Sequence, residues 1–244
     1  MRRRRALLLI GLFAASALVL AVLAVLLRHA APLAADLAIE RWLQQWRWPP
    51  LLGLMLVVSW LGYSPQSVAG TLALGVVAGL ASRWRDGLWL AGTQIATVAT
   101  SVVKTLVERP RPTPDLVQVY SAIDEYAFPS GHVVFYTTLF GFAFFLVYVH
   151  VRRRPWRAFL LALLLTPILL VGISRVYLGY HWPSDVLGGY ALAVALLVPY
   201  GALYAHLYVP APGPAAPGRG DRTPSPSPSP RGRGDVGVAP RRDT

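Results

Sequence analysis

The sequence predicts an all-α integral membrane protein: a bundle of six transmembrane helices with an interfacial amphipathic helix and a disordered C-terminal tail. Of the 244 residues, 55% are hydrophobic and only 14% are charged, and the mean hydropathy is +0.49. Soluble domains carry about 25% charged residues. The lower fraction here favours a membrane protein, because charge is costly in hydrocarbon. Several apolar runs reach the roughly 20 residues that a helix needs to cross a bilayer, and arginine clusters separate them.

Six apolar segments are the predicted spans. The first is Ala6–Leu27, which follows four arginines. Its apolar core exceeds the roughly 7–15 residues of a signal peptide, so an uncleaved span is favoured over a leader cleaved near residues 30–35. The other predicted spans are Pro65–Ser82, Gly87–Val107, His132–Val151, Trp156–Ile173 and Asp185–Tyr208. Together they define a membrane domain over residues 1–208.

The chain between the first two spans contains an amphipathic segment, residues 36–48. Its apolar residues Ile39, Trp42, Leu43 and Trp46 follow helical spacing. This pattern predicts a short helix in the interface with its tryptophans at headgroup level; a simple loop helix is the alternative. The chain from Pro49 to the second span is expected to continue this helix or to pack against the bundle.

Arginine is frequent both in the C-terminal tail and between the apolar spans, and it accounts for the positive net charge. Residues 209–244 are mostly Pro, Gly, Ser, Ala and Arg, a composition that cannot bury a core, so this tail is expected to be disordered. The formal net charge is +12. The arginines lie between apolar spans, and no basic face with interleaved aromatics is predicted, which excludes a nucleic-acid partner.

The arginine clusters also predict the topology. They lie at residues 2–5, 83–85, 152–157 and in the tail. Six spans with both termini in the cytoplasm place all four clusters inside, as the positive-inside rule requires. The loops at 108–131 and 174–184 then lie on the extracytoplasmic face of the plasma membrane. The chain has no cysteine, so disulfides, thiolate zinc sites and thiol catalysis are excluded.

Polar chemistry concentrates in three segments on that face. In one of them Ser174 and Arg175 are followed by His181 and then by Asp185. Pro183 suits the first turn of a helix, so Asp185 lies in that turn and His181 just before it. A carboxylate bonded to one imidazole nitrogen fixes the tautomer and leaves the other nitrogen free to attack. A structural histidine at a helix end is the alternative.

A second segment, Pro-Ser-Gly-His at 129–132, has the features of an anion site. Ser130 suits an N-cap, and Gly131 allows close approach to the backbone. The helix that begins there directs its N–H groups and positive dipole end at the loop. His132 stands beside this site, where it could protonate a leaving oxygen. A plain capped helix start is the alternative.

Fixed cations come from the third segment and from Arg175. Lys104 ends a span, and Arg111 follows it in the loop. Arginine engages phosphate oxygens through two parallel bonds, and lysine acts as a point charge. The alternatives are snorkelling to the interface and ion pairing with acidic residues, namely Glu108, Asp115, Asp124 or Asp185.

The three segments together resemble a known signature. The pattern Lys-x6-Arg-Pro, Pro-Ser-Gly-His and Ser-Arg-x5-His-x3-Asp, which runs from residue 104 to 185, is similar at every position to that of the type 2 phosphatidic acid phosphatase family, which shares its site with vanadium haloperoxidases. The resemblance implies that His181 is the nucleophile, Asp185 its orienting partner and His132 the general acid. It also implies phosphate binding by Lys104, Arg111, Ser130, the Gly131 N–H and Arg175.

The expected activity is metal-independent and cofactor-free hydrolysis of a membrane lipid phosphate through a phosphohistidine. Undecaprenyl diphosphate, phosphatidic acid and phosphatidylglycerophosphate all suit the pattern. Three rivals stay open: a metal mechanism, a phosphotransferase and a transporter or flippase. Transporters place charged groups near the midplane, and a hard cation needs several converging oxygen ligands. The carboxylates available on this face are Glu108, Asp115, Asp124, Glu125 and Asp185.

Overall fold

The computed structural model describes residues 2–209, which form nine α-helices and no β-strand. The all-α class is therefore confirmed over this part of the chain. The predicted tail, residues 209–244, lies outside the described residues except for Val209. The helices are α1 (Arg2–Leu27), α2 (Ala34–Leu43), α3 (Pro49–Trp60), α4 (Gln66–Ala81), α5 (Trp84–Gly92), α6 (Ile95–Val107), α7 (Gly131–His150), α8 (Arg154–Tyr177) and α9 (Pro183–Tyr208).

Five helical stretches are long and apolar enough to cross a membrane, and the chain is an integral membrane protein. Apolar side chains such as Leu8 (65% exposed) and Val25 (77% exposed) remain on the outer surface of α1, where lipid rather than water is the solvent that suits them. The five stretches match the first, third, fourth, fifth and sixth predicted spans: Arg3–Leu27, Trp84–Val107, Gly131–His150, Arg154–Tyr177 and Pro183–Tyr208.

The second predicted span is shorter than expected. It forms α4, whose 16 residues reach about 24 Å at 1.5 Å per residue, against a hydrocarbon core of about 30 Å. The preceding chain forms a separate helix, α3, rather than a continuation of the interfacial helix. Pro49 at the first position of α3 explains the break, because proline suits a helix start and disrupts a helix interior. Helix α3 packs against α8.

The third predicted span is interrupted. Helices α5 and α6 meet at Thr93 and Gln94, where the backbone N–H groups of both residues bond three residues back rather than four. The side-chain amide of Gln94 donates to the Ser67 carbonyl at 3.2 Å and to the Thr71 hydroxyl. These bonds connect the break to α4. Tertiary contacts therefore stabilise the break, which the sequence does not mark with a proline or a glycine pair.

Helix α7 lies at the centre of the bundle. Its residues Val133, Leu139 and Phe142 are almost fully buried in the main core cluster, and it packs on α8 and α9, while α1 packs on α9. The order of the helices brings the ends of α6 and α8 and the starts of α7 and α9 to one end of the bundle. That end carries the three polar segments.

Candidate active site

Hydrogen bonds to main-chain carbonyls join the three polar segments at this end of the bundle. The Ser130 N–H donates to the Asp185 carbonyl at 3.1 Å, which ties the start of α7 to the start of α9. The Arg111 guanidinium donates to the Tyr180 carbonyl at 2.6 Å, which ties the loop after α6 to the loop after α8. The segments therefore converge as the sequence predicted.

His181 is fully buried between these loops. Its Nε2 lies 3.3 Å from Nη1 of Arg111. A guanidinium has no acceptor, so we assign the lone pair to Nε2 and the proton to Nδ1. Burial lowers the pKa of His181 well below its ordinary value, and nearby Arg111, Arg175, Lys104 and His132 lower it further. The imidazole is therefore neutral near pH 7, as a nucleophile must be.

Asp185 does not form the predicted hydrogen bond to His181. Its Oδ2 is 3.8 Å from Nδ1 of His181, too far for a hydrogen bond. That oxygen instead accepts from the Trp182 N–H at 2.8 Å, and Oδ1 accepts from Arg109 at 2.5 Å. Asp185 thus faces the imidazole as an anion, but its direct partner is an arginine that the sequence reasoning did not single out.

Arg109 bridges two buried carboxylates. One end of its guanidinium holds Asp185, and the other donates to Oδ2 of Asp36 in α2 at 2.7 Å. Asp36 also accepts from the Ser184 N–H at 2.9 Å and from the Ser184 hydroxyl at 2.7 Å. Helix α2 is thereby fixed to the first turn of α9. Asp36, a charge within the otherwise apolar stretch 34–39, was an available sequence signal, but its pairing with Arg109 spans 73 positions.

Glu40, one helical turn after Asp36, is also buried, and neither carboxyl oxygen has a hydrogen-bond partner among residues 2–209. Burial raises its pKa to about 9, and the negative charges of Asp185 and Asp36 add to this. Glu40 is therefore protonated at neutral pH. The Arg109 guanidinium is then surrounded by two carboxylates, Asp36 and Asp185, and by one neutral carboxylic acid, Glu40.

The predicted cations Lys104 and Arg111 both lie near the carboxylate of Glu125, a pairing that the sequence did not predict. Nζ of Lys104 lies 2.5 Å from Oε2 of Glu125, and Nη2 of Arg111 lies 3.8 Å from the same oxygen. The hydrogen bond from Lys104 lowers the pKa of Glu125, although its partial burial acts against this. The expected alternatives for pairing did not include Glu125. The Glu125 carboxylate therefore lies beside the two cations to which the family resemblance assigns phosphate binding.

We predict that Glu125→Gln tightens binding of phosphate. In the proposed site, the carboxylate competes with the substrate phosphate for Lys104 and Arg111. Because the Glu125 side chain is 63% exposed, solvent weakens this ion pair, and its removal should lower KM by about three- to fivefold. Asp124→Asn removes the neighbouring carboxylate and serves as the control. Steady-state kinetics test this. An unchanged or higher KM in Glu125→Gln, or an equal fall in KM in Asp124→Asn, would contradict it.

Arg175, the third predicted cation, is 1% exposed. Its Nη1 donates to the Ser59 hydroxyl and to the Tyr63 hydroxyl, the latter at 3.1 Å, and its guanidinium lies 4.1 Å from the centre of the Tyr180 ring. Within residues 2–209, this buried cation is held by neutral oxygens and a ring face and has no carboxylate counter-ion. A bound phosphate would supply one.

His132, Ser130 and Gly131 form the start of α7. The His132 ring packs edge-on against Tyr63, with centroids 4.6 Å apart, and its buried Nε2 has no partner within residues 2–209. Ser130 is the N-cap residue, but its hydroxyl does not cap the helix and is likewise buried and unbonded. A methyl group on Gly131 would have ordinary contact distances, so protein packing does not require glycine there. Unbonded polar groups that point inward are typical of a binding site.

Metal ligation requires several converging side chains. Among residues 2–209, no group of three or more His, Asp or Glu side chains is arranged to hold an ion. Glu125, Asp36 and Asp185 instead pair with lysine or arginine, so these three carboxylates are not gathered as a ligand set for a divalent cation.

Comparison with known proteins places this arrangement in a family. Residues 86–207 match the model of the PAP2 superfamily. Phosphatidylglycerophosphatase B of Bacillus subtilis is 31% identical over 181 residues, which cover 72% of this chain and 86% of that protein. Decaprenylphosphoryl-5-phosphoribose phosphatase of Mycolicibacterium smegmatis is 32% identical over 133 residues, covering 53% of this chain and 67% of that protein.

Two solved structures share the fold of this chain. The crystal structure of a transmembrane PAP2-type phosphatidylglycerolphosphate phosphatase from Bacillus subtilis has a TM-score of 0.68 and 26% identity, covering 80% of this chain and 96% of that one. Aquifex aeolicus LpxE shares the fold at a TM-score of 0.54 and 19% identity, covering 70% of this chain and 97% of that one. The chain therefore belongs to the PAP2 superfamily, as its three motifs predicted, and is a membrane-bound phosphatase of that family.

Proposed function

We propose that the protein removes a terminal phosphate from a membrane lipid at the extracytoplasmic face, through a phosphohistidine on His181 and without a metal. One observation carries the proposal. The neutral, buried imidazole of His181 presents Nε2 to Arg111, and the charges of Lys104 and Arg175 lie near the same ring. A nucleophile next to fixed cations is what phosphoryl transfer requires, since positioning and electrostatic stabilisation supply most of its catalysis.

The first step transfers the phosphoryl group to the enzyme. Nε2 of His181 attacks phosphorus as the bond from phosphorus to the lipid oxygen breaks. His132 takes up a proton when the phosphate dianion binds beside it, and it gives that proton to the departing oxygen. Lys104, Arg111, Arg175 and the N–H groups at the start of α7 stabilise the equatorial oxygens, because fixed donors cost no reorganisation. The Asp185 carboxylate stabilises the positive charge that develops on the imidazole.

The second step regenerates the enzyme. Water attacks the phosphohistidine while His132, now neutral, takes a proton from it as a general base. The bond between phosphorus and Nε2 breaks, inorganic phosphate leaves, and His181 returns to the neutral tautomer with its proton on Nδ1. Both histidines end in their starting protonation states, so the cycle balances.

Two findings support a lipid phosphate substrate. The relatives are named for phosphatidylglycerophosphate and for decaprenylphosphoryl-5-phosphoribose, lipids whose polar head ends in a phosphate monoester. An open cavity of about 620 Å³ also lies beside the turn that leads to His181. Its lining combines a cation with aromatic and amide side chains, including Arg47, Trp48, Gln118, Tyr120, Tyr177 and Leu178. Such a lining suits a lipid head group at the interface.

The arrangement of the helices supports the proposed orientation. The site lies where α6 and α8 end and α7 and α9 begin. The arginines at residues 83–85 and 152–157 lie at the opposite ends of the helices that lead to and from it. With these arginines in the cytoplasm, both termini lie inside and the site faces outward.

Phosphate release from a panel of lipids by purified protein tests the function. We expect release from phosphatidylglycerophosphate to exceed release from phosphatidic acid and undecaprenyl diphosphate, to survive a chelator and to be inhibited by vanadate. Activity that is lost with the chelator and restored by magnesium would indicate a metal mechanism. Transfer of phosphate to an added lipid acceptor rather than to water would indicate a phosphotransferase.

A further inference from the structure

A fourth segment, the turn at residues 61–65 between α3 and α4, borders the site. The backbone of Gly62 lies against the His132 ring so closely that a methyl group there would overlap the imidazole. The next residue, Tyr63, packs its ring edge-on against the same imidazole. This turn therefore forms a wall of the pocket beside the proposed general acid, and none of the three sequence motifs includes it.

The Tyr63 hydroxyl can donate as well as accept. Its oxygen accepts a hydrogen bond from Nη1 of Arg175 at 3.1 Å. The hydroxyls of Ser59 and Tyr180 are its other hydrogen-bonding neighbours. A hydroxyl can donate one bond and accept two, and a phosphoryl oxygen beside Arg175 is a stronger acceptor for the phenolic hydrogen than a neutral hydroxyl is.

Electrostatics favour this hydroxyl as a donor to an anion. Burial alone would raise the pKa of the Tyr63 phenol, but the Arg175 charge, together with hydrogen bonds from Arg175, Ser59 and Tyr180, outweighs burial, so the net shift is downward. A more acidic phenol is a stronger donor, and hydrogen bonds to charged acceptors are about twice as strong as neutral ones.

We propose that Tyr63 is a phosphate-binding residue whose hydroxyl donates to a non-bridging oxygen of the phosphoryl group engaged by Arg175. The inference rests on the proposed function, because it places the phosphoryl group between Arg175 and His132. It assigns to the turn at residues 61–65 two tasks: Gly62 leaves the imidazole of His132 its space, and Tyr63 adds a neutral donor to the three cations.

The variant Tyr63→Phe tests this directly. It keeps the ring that packs against His132 and faces Arg175, and it removes only the hydroxyl. A hydrogen bond to a charged group is lost, so we expect kcat/KM to fall about tenfold or more and the Kd for vanadate to rise by a similar factor. Tm should fall only modestly, because Arg175 keeps its bond to Ser59. The vanadate Kd is read from the concentration dependence of Tm.

Two variants separate binding from a general structural role. Tyr200→Phe removes a comparable half-buried hydroxyl, which donates to the Trp89 carbonyl at 2.5 Å far along α9, and should leave the vanadate Kd unchanged. Ser59→Ala removes the other oxygen bonded to Arg175 and should have a smaller effect than Tyr63→Phe. The inference is overturned if Tyr63→Phe leaves the vanadate Kd unchanged, or if Ser59→Ala weakens vanadate equally.

The two readouts also distinguish this inference from the proposed function. Vanadate binding reports the anion site whether or not a given lipid is hydrolysed. A protein that binds vanadate through Tyr63 but releases no phosphate from any lipid of the panel would refute the proposed activity and leave the role of Tyr63 standing. Normal turnover with unchanged vanadate binding in Tyr63→Phe would do the reverse.

Discussion

His181→Ala is expected to abolish turnover, by about 10⁴-fold or more, while the protein still inserts and folds. The imidazole supplies the attacking nitrogen, and loss of a nucleophile removes the covalent route altogether. Because the ring is buried and its Nδ1 has no hydrogen-bond partner within residues 2–209, its removal leaves no buried charge unpaired. Phosphate release by the purified variant, with Tm as the measure of folding, tests this expectation.

A matched histidine controls for general effects. His206 lies on an exposed position near the end of α9, at the opposite end of the bundle from the site. His206→Ala should retain full activity. Phosphate release from a well-folded His181→Ala protein at a rate within tenfold of the parent would remove His181 from the mechanism.

Arg109→Ala is expected to destabilise the fold by about 3–5 kcal/mol, the usual cost of removing one partner from a buried ion pair. Its guanidinium is fully buried between Asp36 and Asp185. Without it, two carboxylates face each other in a dry environment. Chemical or thermal unfolding in detergent measures the loss, and the exposed Arg83→Ala variant should change stability by less than about 0.5 kcal/mol.

A second substitution identifies the cause of that loss. Asp36→Asn in the Arg109→Ala background removes one of the two unpaired charges, so it should recover part of the stability rather than add to the damage. Destabilisations that simply add would show that repulsion between the two carboxylates is not the cause. The Arg109→Ala protein should also lose activity, because Asp185 loses the bond that fixes Oδ1.

Local patterns predicted the helices and the motif residues well. Proline at position 183 and serine at position 130 correctly marked helix starts, and the three motifs supplied the histidines and cations that the structure brings together. Hydropathy identified five membrane-spanning stretches to within four residues at each end. These features depend on residues close together in sequence, which periodicity and capping preferences describe.

Features that depend on distant residues escaped prediction. The bridge from Asp36 through Arg109 to Asp185 joins three segments that no local rule pairs. The break between α5 and α6 follows from a side-chain bond of Gln94 to α4, and Glu125 reaches Lys104 only because the loop after α6 folds back. The long distance from Asp185 to His181 has the same origin, since Arg109 and the Trp182 N–H hold the carboxylate.

Trapping of the covalent intermediate tests the central claim most directly. Protein mixed with lipid carrying radiolabelled phosphate, quenched in alkali within milliseconds and digested should yield an acid-labile, base-stable phosphopeptide that contains residue 181. A parent enzyme that turns over while no label reaches the protein, or that carries its label on a peptide lacking His181, would contradict the account.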